Sequence, residues 1–228
     1  MPQNPAAPFL AVTASLALAL TACGTSVMQT HTPGTNEDGE RANEIQRGAK
    51  APTPRRNPHP TAYEVTMTIE GAPGPFGVVG GVMQYETALN DPCLPRLGGM
   101  SGTRMRLKER VPVQWAPQGV GVYQGVAYTD LMLDEDYFGL GVCRWSMIEA
   151  RMELRASGSE GDTTYFDGLT KADLEAGRSR TFYFWAGLYP SAAPGDINQG
   201  GQEDPSKFKP EVRDQLFKVT LASRKLPR

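Results

Sequence analysis

From Tyr63 to Ile69 the side chains alternate, with Tyr63, Val65, Met67 and Ile69 on one face and Glu64, Thr66 and Thr68 on the other. A period of two marks a strand with one dry face and one wet face. The pattern recurs. Thr103 to Trp115 sets Met105 and Leu107 against Arg104, Arg106 and Lys108, and Val120 to Met132 places Val122, Gln124, Val126 and Tyr128 against smaller residues. Gly141 to Ala156 sets Cys143, Trp145 and Met147 against Arg144 and Ser146. Its Met, Glu, Ala, Arg and Leu residues also suit a helix, but the opening Val142, Cys143 and Trp145 favour a strand. Phe76 to Thr87 reads as a Gly-rich strand with a bulge near Gly80 and Gly81. Arg180 to Leu188 reads as an aromatic strand, and Leu216 to Ser223 closes the pattern with Phe217, Val219 and Leu221. Thr170 to Ala176 is the one clear helix, with Thr170 to cap it, Asp173 at its third position and Gly177 to end it. The 25 Gly and 19 Pro of this 228-residue chain are too many for a helical bundle. The expected fold is therefore an all-β antiparallel sandwich of roughly seven strands. A Trp beside a bridge is reminiscent of immunoglobulin-like domains; an open β-barrel is the alternative.

The domain is expected over 62–228, behind two segments of different texture. Residues 9–22 form an uncharged run of 14. That is short of the roughly 20 apolar residues a spanning helix needs, and it suits the apolar core of an export signal. The run ends in Leu20-Thr21-Ala22-Cys23, which resembles the bacterial lipobox. The resemblance implies a signal peptide over 1–22, a diacylglyceryl group on Cys23 and anchoring in a membrane by several acyl chains. Gly24 in second place implies sorting to the outer membrane, facing the periplasm. Residues 1–8 depart from the pattern, with no Lys or Arg. An ordinary secretory signal followed by an unmodified Cys23 is the other reading. Residues 23–61 carry almost no large apolar side chain, and Ala51 to Pro60 holds four prolines. This stretch is expected to be a disordered tether spanning roughly 35 Å.

Two cysteines remain, Cys93 and Cys143. An oxidising compartment favours pairing them, closing a loop of about 50 residues worth about 3–4 kcal/mol in the chain-entropy model. Two reduced, buried thiols are the alternative.

The net charge of −2 lacks the Lys and Arg surplus that nucleic-acid binding needs. Both histidines, His31 and His59, fall in the tether, so the domain has no His for a catalytic triad or a zinc site. No phosphate-binding loop, zinc-protease motif or nucleophile elbow occurs, and neither cofactor nor metal is expected. Gly77 to Gly81 lacks a following helix to present amides to phosphate. The carboxylates Asp130, Asp134, Glu135 and Asp136 could form a glycosidase pair, but they crowd one acidic turn with nothing to separate their pKa values. Nor does their spacing match a calcium loop.

That turn, Asp134-Glu135-Asp136-Tyr137-Phe138, has two readings. One is a solvated hairpin whose aromatics fold inward. The other is a protein-recognition tip, with Tyr137 and Phe138 as anchors and Asp130, Asp134, Glu135 and Asp136 selecting a basic partner. A polar loop over 191–210 offers a second contact through Asp196, Glu203 and Asp204.

The lipobox, the Pro-rich spacer, Cys93, Cys143 and the segment Asp134 to Trp145 together resemble bacterial immunity lipoproteins. These neutralise antibacterial effectors in the periplasm, type VI secretion phospholipases among them; lysozyme-inhibitor lipoproteins follow the same logic. The likeness is architectural and has no specific motif. It implies a non-enzymatic inhibitor that occludes the active site of a toxin-like hydrolase. A structural or assembly lipoprotein of an envelope or secretion complex is the alternative, and an enzyme acting on envelope glycans comes third.

Overall fold

The computed structural model describes residues 52–97, 102–191 and 197–227. The expected signal peptide, Cys23 and most of the expected tether lie outside the described residues. Ten strands form: β1 Ala62–Glu70, β2 Val78–Thr87, β3 Lys108–Pro112, β4 Ala116–Gly119, β5 Val122–Tyr128, β6 Trp145–Arg155, β7 Thr164–Thr170, β8 Ser179–Trp185, β9 Asn198–Gly200 and β10 Leu216–Lys225. Helix α1, Lys171–Ala176, joins β7 to β8. One sheet has the order β4-β5-β1-β10-β8 and the other β3-β2-β6-β7-β9; among the described residues only β7 and β9 pair in parallel. The result is an all-β sandwich, as the alternation predicts, and the sheets do not close into a barrel.

The inward residues of each strand make the core. Tyr63, Val65 and Met67 of β1 share the inner face of their sheet with Phe217, Val219 and Leu221 of the neighbouring β10, where Met67 lies directly opposite Leu221, and all are buried. Met152 and Leu154 of β6 and Tyr165 and Leu169 of β7 supply the opposing layer. At its centre Phe217 packs on Tyr165 (5.0 Å between centroids), Phe184 (5.3 Å) and Phe76 (5.8 Å). Burying a large apolar side chain contributes about 1.5–3 kcal/mol, so these strands carry most of the stability.

Several local expectations need correction. Gly80 and Gly81 sit in regular register opposite Glu153 and Met152. The register shift falls at Gln84/Tyr85, which face Glu149 and Met147 and leave Ile148 as the extra residue. Gly81 is needed for close approach instead: a Cβ there would collide with the Arg151 carbonyl oxygen. Within 103–115 only Lys108–Pro112 joins the sheet; Leu97 and Met105 instead bond to Thr103 and Pro95 in a small loop ladder. Within the polar loop, β9 adds to β7, and Gln202 exchanges two backbone hydrogen bonds with Tyr183 of β8.

The domain also begins before Ala62. The Asn57 amide donates to the Leu131 carbonyl (2.8 Å), the Leu133 amide donates to the Arg55 carbonyl (2.9 Å), and Arg56 bridges Met132. Proline forbids helix here but tolerates extended backbone, and Arg55 and Asn57 keep the groups an edge needs. On the far edge of each sheet, β3 ends on Pro112 and β4 contains Pro117.

Helix α1 forms as expected. Thr170 Oγ1 accepts from the Asp173 amide, the Asp173 carboxylate accepts from the Thr170 amide, and Gly177 closes the helix at φ 60°. Desolvation alone would raise the Asp173 pKa, but the Thr170 hydroxyl and amide and the Arg180 guanidinium outweigh it and hold it below the ordinary value. A depressed carboxylate pKa means stability that is complete above the unfolded value of about 3.9 and lost as pH falls through the folded value. We expect the urea midpoint of Asp173→Asn to be lower than wild type at pH 7 and to change less between about pH 4 and pH 2. Parallel pH profiles of the two proteins would remove Asp173 from the acid response.

Candidate functional site at the disulfide-stapled end

Beyond the last β2–β6 pair, Thr87 with Trp145, both strands run into loops that the sandwich core does not cover. The sequence covers them with a second core. Cys93 and Cys143 are bonded (S–S 2.07 Å), and with Leu94, Leu107 and Phe138 they form a separate buried cluster. Met105, Tyr137, Leu140 and Trp145 pack around it, and Trp145 also touches the main core. The bridge thus ties loops at one end of a single sheet, unlike an inter-sheet bridge at the centre of an immunoglobulin-like core. Glu86, only 6% exposed, accepts from Gln84 Nε2 and pairs with Arg106 and Lys108, pinning the 103–108 segment against β2.

The acidic segment lies along this end, and each of its carboxylates has internal work. Asp130 accepts from the Thr61 amide (2.6 Å) and hydroxyl (3.1 Å), fixing the entry of the chain into β1. Asp134 accepts from the Trp145 amide (2.9 Å) and lies 3.7 Å from Arg144. Glu135 pairs with Arg55 (2.8 Å), and its carbonyl accepts from the Cys143 amide. One oxygen of Asp136 accepts from the amides of Phe138, Gly139 and Leu140. Desolvation opposes the charge of Asp136, yet these amides and that of Gly141 hold its pKa below the ordinary range. The turn is therefore built around its own acids.

The two aromatics do not serve as exposed anchors. Phe138 is 3% exposed, inside the disulfide cluster. Tyr137 is half-buried, donates its hydroxyl to the Leu133 carbonyl (2.6 Å) and sets its ring edge-on to Trp145. The large exposed apolar side chains among the described residues are Val120, Leu89 (71%), Val142 (51%) and Ile148. Leu89 lies two residues past Thr87 and Val142 three before Trp145, so both belong to the stapled end. Sequence reasoning missed them; the only signal was an apolar residue beside each turn, in Leu89-Asn90-Asp91-Pro92 and Gly141-Val142-Cys143.

A groove of about 570 Å³ adjoins the acidic segment between β3, β4 and β5. Arg56, Glu64, Gln114, Gln118, Gln124 and Tyr128 line it, a mixture of donors and acceptors. The second predicted contact is not part of this end. Asp196 lies outside the described residues. Glu203 pairs with Arg180 of β8, and β1 and β10 separate β8 from β5. Asp204 caps a short 3-10 turn; the Ser206 hydroxyl and amide hold its pKa below the ordinary value.

Among the described residues no helix is long and apolar enough to cross a membrane, and no three His, Cys, Asp or Glu side chains group as metal ligands. The stapled end carries two exposed aliphatic side chains, Leu89 and Val142, and an acidic segment whose carboxylates are held by internal hydrogen bonds and ion pairs. No family model, curated protein or solved structure matches the chain.

Proposed function

We propose that the chain is a lipid-anchored inhibitor of a protein partner, an immunity lipoprotein of the outer membrane that faces the periplasm and neutralises an antibacterial effector. One observation carries the recognition step: the stapled end presents Leu89 and Val142 on a scaffold whose flanking acids are already fixed by hydrogen bonds and ion pairs. Ordering a loop on binding costs affinity, and a loop ordered beforehand avoids that cost. Exposed apolar side chains supply the desolvated centre of an interface, while a carboxylate border speeds encounter with a basic surface. Asp134, Glu135 and Asp136 act as that border, with the aliphatic pair as anchors. Seating this rigid end over an effector's cleft would exclude substrate without any chemistry by the inhibitor.

The test begins with capture of the partner from the native host and an assay of its inhibition. Leu89→Asp combined with Val142→Asp is expected to weaken the complex about 100-fold or more, as loss of two interface anchors does, with an unchanged thermal midpoint. Unaltered affinity in this variant would move recognition away from the stapled end. Capture of envelope-assembly components, with no inhibited activity, would favour the structural role.

A further inference from the structure

The outer face of the β3-β2-β6-β7-β9 sheet carries a trough of about 510 Å³. It lies toward the end of β6 remote from the disulfide, because Arg151, Glu153 and Arg155 close that strand while Trp145 opens it. Gly80, in β2, lies beneath it. Glycine inside a strand weakens it, and often marks a place where another backbone or a ligand comes close. Packing does not require Gly80: a Cβ there would meet only the Glu153 carbonyl oxygen, at 3.9 Å. Gly168 differs, since its Cβ would lie 2.6 Å from the Ala150 carbonyl oxygen. The missing side chain at position 80 therefore keeps the trough open.

The walls are polar and unevenly committed. Arg151 stacks on Phe166, 4.9 Å from its ring centroid, and is shared between Glu153 (2.8 Å) and Glu149 (4.0 Å). Its Nε is buried and makes no hydrogen bond. Arg155 is half-buried and makes no ion pair among the described residues. Asn198 of β9 borders the same space. The trough thus combines one uncommitted guanidinium, a carboxylate acceptor and a side-chain amide.

We infer that this trough binds a carboxylated saccharide, with the carboxylate on Arg155 and the hydroxyls held by Glu153 and Asn198. Of the charged side chains that line the trough, Arg151 is matched by Glu153, which leaves Arg155 as the one cationic group on offer and suits a monoanion better than a phosphate dianion. A guanidinium matches a carboxylate in a two-bond fork. Sugar hydroxyls donate and accept, which uses Glu153 and Asn198 together; a bare peptide carboxylate would leave Glu153 facing it unrelieved. The volume falls in the small-ligand class of about 300–1,000 Å³. The inference is independent of the inhibitor reading, because its residues lie at the other end of β6.

Calorimetry on the full chain with tetragalacturonate, neutral maltotetraose and tetraglutamate tests it. We expect tetragalacturonate to bind at least about tenfold more tightly than either comparison. Arg155→Gln should abolish the preference for the acidic sugar, and Gly80→Leu should remove binding while the thermal midpoint is kept. Equal binding of the two oligosaccharides, tighter binding of tetraglutamate, undiminished binding by Gly80→Leu, or no heat from tetragalacturonate up to about 10 mM would each overturn it.

Discussion

Replacing Cys143 with Ser is expected to cost the domain about 3–4 kcal/mol and to lower its thermal midpoint by about 10 °C. The bridge spans 50 residues of sequence, so its removal frees a long loop in the unfolded chain. It also removes the staple from a cluster of only five buried residues, too few to hold two loops together by packing alone. The loss should be local before it is global. Hydrogen exchange should quicken first at Cys143, whose amide donates to Glu135, and at Leu94, whose amide donates to Asp91. The central β1 and β10 amides should keep their protection. Adding reductant to the wild type should give the same pattern. A midpoint that does not move on reduction would mean that Leu94, Leu107 and Phe138 hold the end without the bond. If the inhibitor reading is right, reduced protein also loses its partner, because Leu89 and Val142 no longer sit on a fixed base.

Phe217→Ala should be about as costly, at about 3–5 kcal/mol. The ring touches three other aromatics at the centre of the sandwich, and each such pair adds about 0.5–1.5 kcal/mol beyond area burial. The cavity would open beside the ring of Tyr165, whose hydroxyl is buried without a hydrogen-bond partner. Strands from both sheets meet at this residue, so they cannot easily collapse into the gap. Phe217→Leu keeps most of the volume and should cost less than half as much. Urea denaturation of the two variants measures both; a loss below about 1 kcal/mol for Phe217→Ala would show that the centre repacks.

Strands with one wet face were legible because alternation survives wherever a single face is buried. β1 and β10 read directly from Tyr63, Val65 and Met67 and from Phe217, Val219 and Leu221. β7 did not: Asp167 and Gly168 at its middle look like a turn. In the fold, Asp167 accepts from the Gly201 amide, and Gly168 admits the Ala150 carbonyl, so partners distant in sequence turn breakers into strand residues. β9 has three residues and one parallel neighbour, too little to leave a pattern. At the stapled end the sequence located the acidic segment but not the direction its side chains face. Asp136 followed at two, three and four residues by the amides it holds is a local turn signal. The burial of Phe138 depends on where Cys93 arrives from 45 residues earlier, which no local pattern records.

Pro112 and Pro117 bear on how copies of the molecule behave when crowded. A sheet rim with a continuous row of unpaired amides is a template on which a second chain can add a strand, and repeated addition seeds fibres. Proline has no amide to offer, so β3 and β4 each present a broken row. On the opposite side, β9 is only three residues long, and Gln202 occupies part of the β8 rim. Among the described residues no rim of this sandwich offers a long uninterrupted template, and copies packed side by side have little means of joining through these edges into a common sheet.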